Sequence, residues 1–171
     1  MRSILFTSFL ALVLATGFGC SDDQPFPPKA LRADKTITGA SGLPLAVDPG
    51  MVGEYPSAVK SGSGYFFDQV LEYRVWLHPE KGAEPLAGDH DYCFAFAKYE
   101  RALAFSQKAK GSEEPLVLIR QYEWIDEPSP GKYEVQRGER VTEWRVAWLK
   151  GSKREPQSIA DFLAKPRKPR H

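Results

Sequence analysis

Asp89-His90-Asp91 is the densest group of chemistry-bearing residues in the chain, with His78 upstream and Cys93 just beyond it. These are metal-ligand types. A zinc site needs three or four donors converging at about 2.0–2.3 Å, and its sequence signature repeats short spacings between them. Only His90 and Cys93 show such a spacing. On extended chain, residues three apart point to opposite faces, so the imidazole is aimed away from the thiol. The same geometry works against a Cys–His nucleophilic pair. No metal is expected. A second polar set, Glu72, Arg74, Glu123, Glu143 and Arg145, is embedded in apolar runs. Arg74, His90, Glu123, Glu143 and Arg145 are the candidate ligand-binding residues, lining a polar groove if the sheet that carries them is covered on both faces. The default expectation is different: the strand charges face solvent on one side of an antiparallel sheet, in cross-strand pairs that stabilise by about 0.2–1 kcal/mol each.

The elements that must position these groups centre on Tyr92 to Trp124. In Tyr92-Cys93-Phe94-Ala95-Phe96 large rings alternate with small residues, the two-residue period of a strand with one bulky buried face. Cys93 falls among the small residues, which favours a buried, inert thiol. From Lys98 to Lys110 the period changes. Tyr99, Ala102, Leu103, Phe105 and Ala109 cover one side of a helix, and Gly111 stands where a helix ends. Leu116-Val117-Leu118-Ile119, apolar on both faces and continuing to Trp124, predicts a central strand.

Around this core, Leu71, Tyr73, Val75 and Leu77 alternate with Glu72, Arg74 and Trp76 in a further strand ending near His78-Pro79. Glu127-Pro128-Ser129-Pro130-Gly131 is a turn. Lys132 to Arg137 predicts a strand, Gly138 a tight reversal, and residues 140–149 a last strand with an aromatic face carrying Thr142, Trp144, Val146 and Trp148. Ser158 is placed to cap a short helix that buries Ile159, Phe162 and Leu163. The expected fold class is α+β: a mostly antiparallel sheet of about four or five strands, one main helix on a face and a short C-terminal helix.

The ends of the chain speak of address. Arg2, the apolar run Ile4 to Ala15 and small residues at Thr16, Gly17 and Gly19 have the layout of a secretory signal over residues 1–19. Cys20 follows, and Gly17-Phe18-Gly19-Cys20 resembles the lipobox of bacterial lipoproteins, although those favour Leu where Gly17 stands. The resemblance implies cleavage before Cys20 and acyl chains on it, several of which anchor firmly where one binds only reversibly. With Ser21 rather than an aspartate next, it further implies the periplasmic face of the outer membrane. If Cys20 is not acylated, an oxidising compartment permits a Cys20–Cys93 bridge instead.

Residues 20–60 are rich in proline and glycine with no sustained period, which predicts a lipidated N-terminus and a disordered tether. The domain spans 61–164, and 165–171 is a basic tail kept disordered by its prolines and like charges. A chain of 171 residues accommodates one such domain. Cleavage after Gly19 removes Arg2 and leaves 22 basic against 22 acidic residues. Nucleic acid is therefore not an expected partner, since its general attraction needs clustered excess cations.

From Ser61 to about Ser152 the chain also resembles a set of short bacterial proteins, some of them labelled GNAT-type N-acetyltransferases. Glu72-Tyr73-Arg74-Val75-Trp76, Phe94-Ala95-Phe96, Ala102-Leu103-Ala104-Phe105, Glu113-Glu114-Pro115-Leu116-Val117-Leu118 and Trp124-Ile125-Asp126-Glu127-Pro128 carry that resemblance. It implies acetyl-CoA as cofactor and a pyrophosphate loop opening a helix. Val59-Lys60-Ser61-Gly62-Ser63-Gly64 occupies that place, but Val59 stands where the family has a basic or amide residue, and a strand follows where a helix N-terminus should receive the phosphates. Export also separates the chain from cytoplasmic acetyl-CoA. The expected function is a lipid-anchored envelope protein whose small domain binds a ligand or protein partner, with no catalytic residue assigned. A GNAT-like N-acyltransferase is the alternative, and a small metal-independent hydrolase using His90 or the strand carboxylates is the third.

Overall fold

Rings and small residues alternate in Tyr92–Phe96, and the strand they form, β3, sorts them onto the two faces of one sheet. The computed structural model describes residues 31–34, 41–56, 65–86 and 88–165. The sheet has five strands in the order β1-β3-β2-β4-β5: β1 (Leu31–Asp34), β2 (Gln69–Leu77), β3, β4 (Leu116–Ser129) and β5 (Lys132–Arg145). β3, β2, β4 and β5 run antiparallel, and β1 joins β3 in parallel at the edge. Helix α1 (Tyr99–Ser106) covers one face and the short helix α2 (Ser158–Ala164) follows the last strand, so the chain has the expected α+β architecture. Among the described residues no helix is long and apolar enough to cross a membrane.

On the α1 face, Tyr73 and Val75 of β2, Phe96 of β3, Val117 and Ile119 of β4 and Trp144 of β5 form the main core with Ala102. Phe105 of α1 stands 5.0 Å from Phe94 and 5.3 Å from Phe96 between ring centroids, at tilted angles that suit the ring quadrupoles. The helix is shorter than its apolar pattern. It ends at Ser106, and Lys108 and Ala109 continue in turns that donate to the Phe105 carbonyl.

The opposite face carries Cys93, Ala95, Leu118 and the polar residues of β2, and it is covered by the later part of residues 41–56, from Ala46 on, while Leu43 of the same segment packs against the main core. Ala46 and Val52 pack on Cys93 and Ala95, while Tyr55 packs on Leu71 and Leu118. This strap is tied down at two strand ends: Ala46 N–H donates to Ala97 O at 3.0 Å and Val47 N–H to Val70 O at 2.8 Å. Residues 31–34 and 41–56 fall inside the span expected to be a tether, yet they contribute an edge strand and a whole covering layer. The signal 1–19, Cys20, the Val59–Gly64 loop and residues 166–171 of the basic tail lie outside the described residues.

β4 and β5 form one long hairpin. Its turn is Pro130-Gly131 between the paired residues Ser129 and Lys132, with Gly131 at φ 80°, as a type II turn needs. Pro128 stays in β4 beside a register shift, where β2 no longer pairs with it. Gly138 does not reverse the chain. It sits within β5 opposite the shift between Gln121 and Glu123, so one strand runs from 132 to 145 where two were expected. The last expected strand stops at Arg145, and Val146–Leu149 coils into a 3-10 turn.

Candidate functional site

The alternation in β2 that places Tyr73 and Val75 in the main core places Glu72, Arg74 and Trp76 on the strap side. There Arg74 and Glu72 have no solvent exposure and Glu143 has 1%. Arg74 Nε donates to Glu72 Oε1 at 2.6 Å and Nη1 to Glu143 Oε1 at 2.8 Å. Nη2 donates to the carbonyls of Pro56 at 2.9 Å and Tyr55 at 3.4 Å. The second oxygens are also used: Gly53 N–H donates to Glu72 Oε2 at 2.7 Å, and Trp76 Nε1 to Glu143 Oε2 at 3.0 Å. Both carboxylates and all three guanidinium nitrogens therefore have partners, as burial demands. Of the charges expected to face solvent, Glu72, Arg74 and Glu143 are thus buried, because the strap removes the water from that part of the face.

Two carboxylates share one guanidinium, so the group would carry one buried negative charge in excess if both were ionised. Burial pushes Glu72 above the usual carboxylate range, against the lowering effect of Arg74. Burial also opposes the Arg74 charge, but Glu72 and Glu143 outweigh it and hold the guanidinium protonated. Cys93 lies beside this group and is fully buried; burial pushes its thiol up to about 12. A thiol in that state is not a nucleophile.

The other sequence candidates lie elsewhere. Glu123 pairs with Arg137 at 3.0 Å and with Arg154 at 3.5 Å on the long hairpin. His90 is exposed in the loop before β3. Arg145 is exposed at the end of β5, its guanidinium carbon 5.9 Å from the Trp148 ring centroid. Of the five candidate ligand-binding residues, Arg74 and Glu143 meet directly, and Glu143 and Arg145 line one groove; His90 and Glu123 lie apart from them.

Two constellations were not legible from local pattern. One is a groove of about 1090 Å³ between α1, the stretch entering β4 and the Val146–Leu149 turn. Leu43, Tyr99 and Leu103 give it apolar walls, and Trp148, expected as a core ring, stands 40% exposed there because the strand ends before it. Arg145 and Lys150 bring positive charge to the groove, and Glu113 and Glu114 bring negative charge. The other constellation surrounds His78, whose side chain is only 9% exposed. Its Nδ1 lies 2.9 Å from Asp91 Oδ2 and 3.6 Å from Glu80 Oε1, and its Nε2 lies 3.0 Å from Glu113 Oε1. Asp91 and His78 were in the sequence cluster; Glu80 and Glu113 replace Asp89, His90 and Cys93. The His78-Pro79-Glu80 spacing was a usable signal, whereas Glu113 arrives from a distant segment.

The His78 backbone is pinned on both sides. His78 N–H donates to Gly111 O at 2.9 Å, and the N–H groups of Lys81 and Ala83 donate to His78 O. Gly111 has φ 72°, and a Cβ there would stand 2.4 Å from Ala83 N and 2.8 Å from His78 O. Only glycine fits so close an approach.

No protein-family model matches the chain, and neither curated proteins nor solved structures offer a match in sequence or fold.

Proposed function

We propose that the chain is a lipid-anchored cell-envelope protein whose α+β domain binds an amphipathic ligand or a protein segment in the groove beside α1. The observation that carries the binding role is the groove's make-up: an exposed Trp148 with Arg145 over its ring, apolar walls, and opposite charges brought by different segments. Concave apolar surface with a few placed polar groups is the usual form of a ligand site, and tryptophan and arginine are enriched among the residues that dominate binding energy. The anchoring half of the proposal rests on the sequence around Cys20. A binding role also agrees with the saturation of the buried Arg74 group and the inert Cys93, which leaves those residues structural.

Titrating the purified protein with short peptides and fatty acids, while following backbone amide resonances, tests the groove. Shifts that cluster on Tyr99, Leu103, Arg145 and Trp148 and vanish in Trp148→Ala support it; a panel that moves none of these resonances removes it. Saturable acetyl-CoA binding that disappears when Gly62 and Gly64 are replaced would favour the acyltransferase alternative. Cys20→Ala tests the anchor, since a variant that remains in the membrane fraction is not held by acyl chains on that residue.

A further inference from the structure

We infer that His78, Glu80 and Asp91 form a binding site for a first-row divalent transition-metal ion, with zinc the natural probe. The argument begins with the inventory of an imidazole. Neutral histidine has one N–H and one lone pair, so it can satisfy a carboxylate at only one ring nitrogen. His78 faces carboxylates at both: Asp91 and Glu80 at Nδ1, and Glu113 at Nε2. In either neutral tautomer a lone pair points at an anion. Three carboxylates gather around one ring, and Lys81 Nζ stands 3.7 Å from one of them, Glu113. At Nδ1 two carboxylates face a single ring nitrogen.

A metal ion between Nδ1, Glu80 and Asp91 resolves this with the groups present. One donor atom from each of the three residues already lies within 4.8 Å of the others. Ligands on a tetrahedral ion with bonds of about 2.0–2.1 Å are about 3.3 Å apart. The Asp91 oxygen, 2.9 Å from Nδ1, needs to open by a few tenths of an ångström and Glu80 needs to close slightly. Both carboxylate side chains can do so, because Glu80 is 61% and Asp91 47% exposed.

A second observation points the same way. Metal-bound histidines commonly hold a carboxylate at the other ring nitrogen, which fixes the tautomer that presents the lone pair to the metal. Glu113 occupies that position at Nε2, within ion-pair range but off the line of an N–H bond, so this buried nitrogen lacks a hydrogen bond until the ring turns. A small rotation that brings Nε2–H onto Glu113 sets Nδ1 as the free donor. One imidazole with two carboxylates favours a transition ion such as zinc over magnesium or calcium, which take all-oxygen shells. Three protein donors on an exposed rim leave a coordination position open to water or an outside ligand.

Calorimetric titration of the chelator-stripped full-length chain in detergent with zinc chloride tests the site. One equivalent is expected to bind, and Glu80→Gln and Asp91→Asn, which alter exposed side chains, should each weaken binding roughly tenfold or more. Asp89→Asn and His90→Gln should bind as the parent does. Histidine side-chain nitrogen spectra should show zinc shifting the Nδ1 resonance of His78. The inference is overturned if the parent binds no stoichiometric zinc. It is equally overturned if binding survives Glu80→Gln and Asp91→Asn but falls with Asp89→Asn or His90→Gln.

Discussion

Strand β2 carries a nitrogen-bearing side chain against carboxylates within its length, Arg74, and another just past its end, His78, and the two are built on opposite terms. At Arg74 the strap 41–56 excludes water, one guanidinium meets two carboxylates, and every polar atom of the trio has a partner. At His78 the ring is buried but its carboxylates are not, and one imidazole meets three of them. The first arrangement holds layers together, because a buried charge tolerates no vacancy among its partners. The second leaves donors free to move on a solvent rim, which is what binding requires. Charge clusters of similar composition thus differ in role according to what covers them.

The largest expected effect comes from breaking the closed group. Arg74→Met leaves Glu72 and Glu143 buried without their cation and should cost about 3–5 kcal/mol in urea unfolding. A loss below 1 kcal/mol would mean that water reaches this face and that the strap is not a fixed layer. Gly111→Ala comes next: it forces a side chain against Ala83 and His78 in a left-handed conformation and should cost about 2–4 kcal/mol by the same measurement. If it is neutral, the His78 backbone is not packed against Gly111 as described.

A pH series sharpens the contrast further. Burial raises Glu72 above its ordinary value of 4.5, so the folded protein holds that proton more tightly than the unfolded chain does. Its contribution is therefore fully present below about pH 4.5 and is lost as the pH rises through the folded value. Glu72→Gln should remove that fall, and the difference between the two stability profiles should grow from pH 4.5 upward. Equal slopes for parent and variant would show Glu72 to be solvated. The smallest effect belongs to the rim: without metal, Asp91→Asn should change stability by no more than about 0.5 kcal/mol, since exposed pairs contribute little.

Much of the architecture was legible in local pattern because it depends on periodicity. The rings of Tyr92, Phe94 and Phe96 announce a strand with one packed face, and that is what β3 is. Pro130-Gly131 announces the hairpin turn. Misreadings arose where a residue type has two uses. Gly138 permits a reversal but here relaxes a bulge inside β5. Trp148 continues an alternating run, yet the chain turns after Arg145 and leaves it in the groove. Glu123 and Arg145 share the pattern of Arg74 and Glu143, but their positions on the hairpin and at the strand end keep them near water.

What the sequence determined by itself is the pairing of each side chain with a face, since backbone geometry fixes which residues of a strand point together. What the tertiary structure decided is what lies over those faces. Residues 41–56 have no periodicity and cover the sheet through backbone groups that answer Glu72 and Arg74, a match between distant segments that no local pattern encodes. The gathering of Glu80, Asp91 and Glu113 around His78 has the same origin: each arrives on a separate turn or strand end, and only the packed chain brings their charges within reach of one ring.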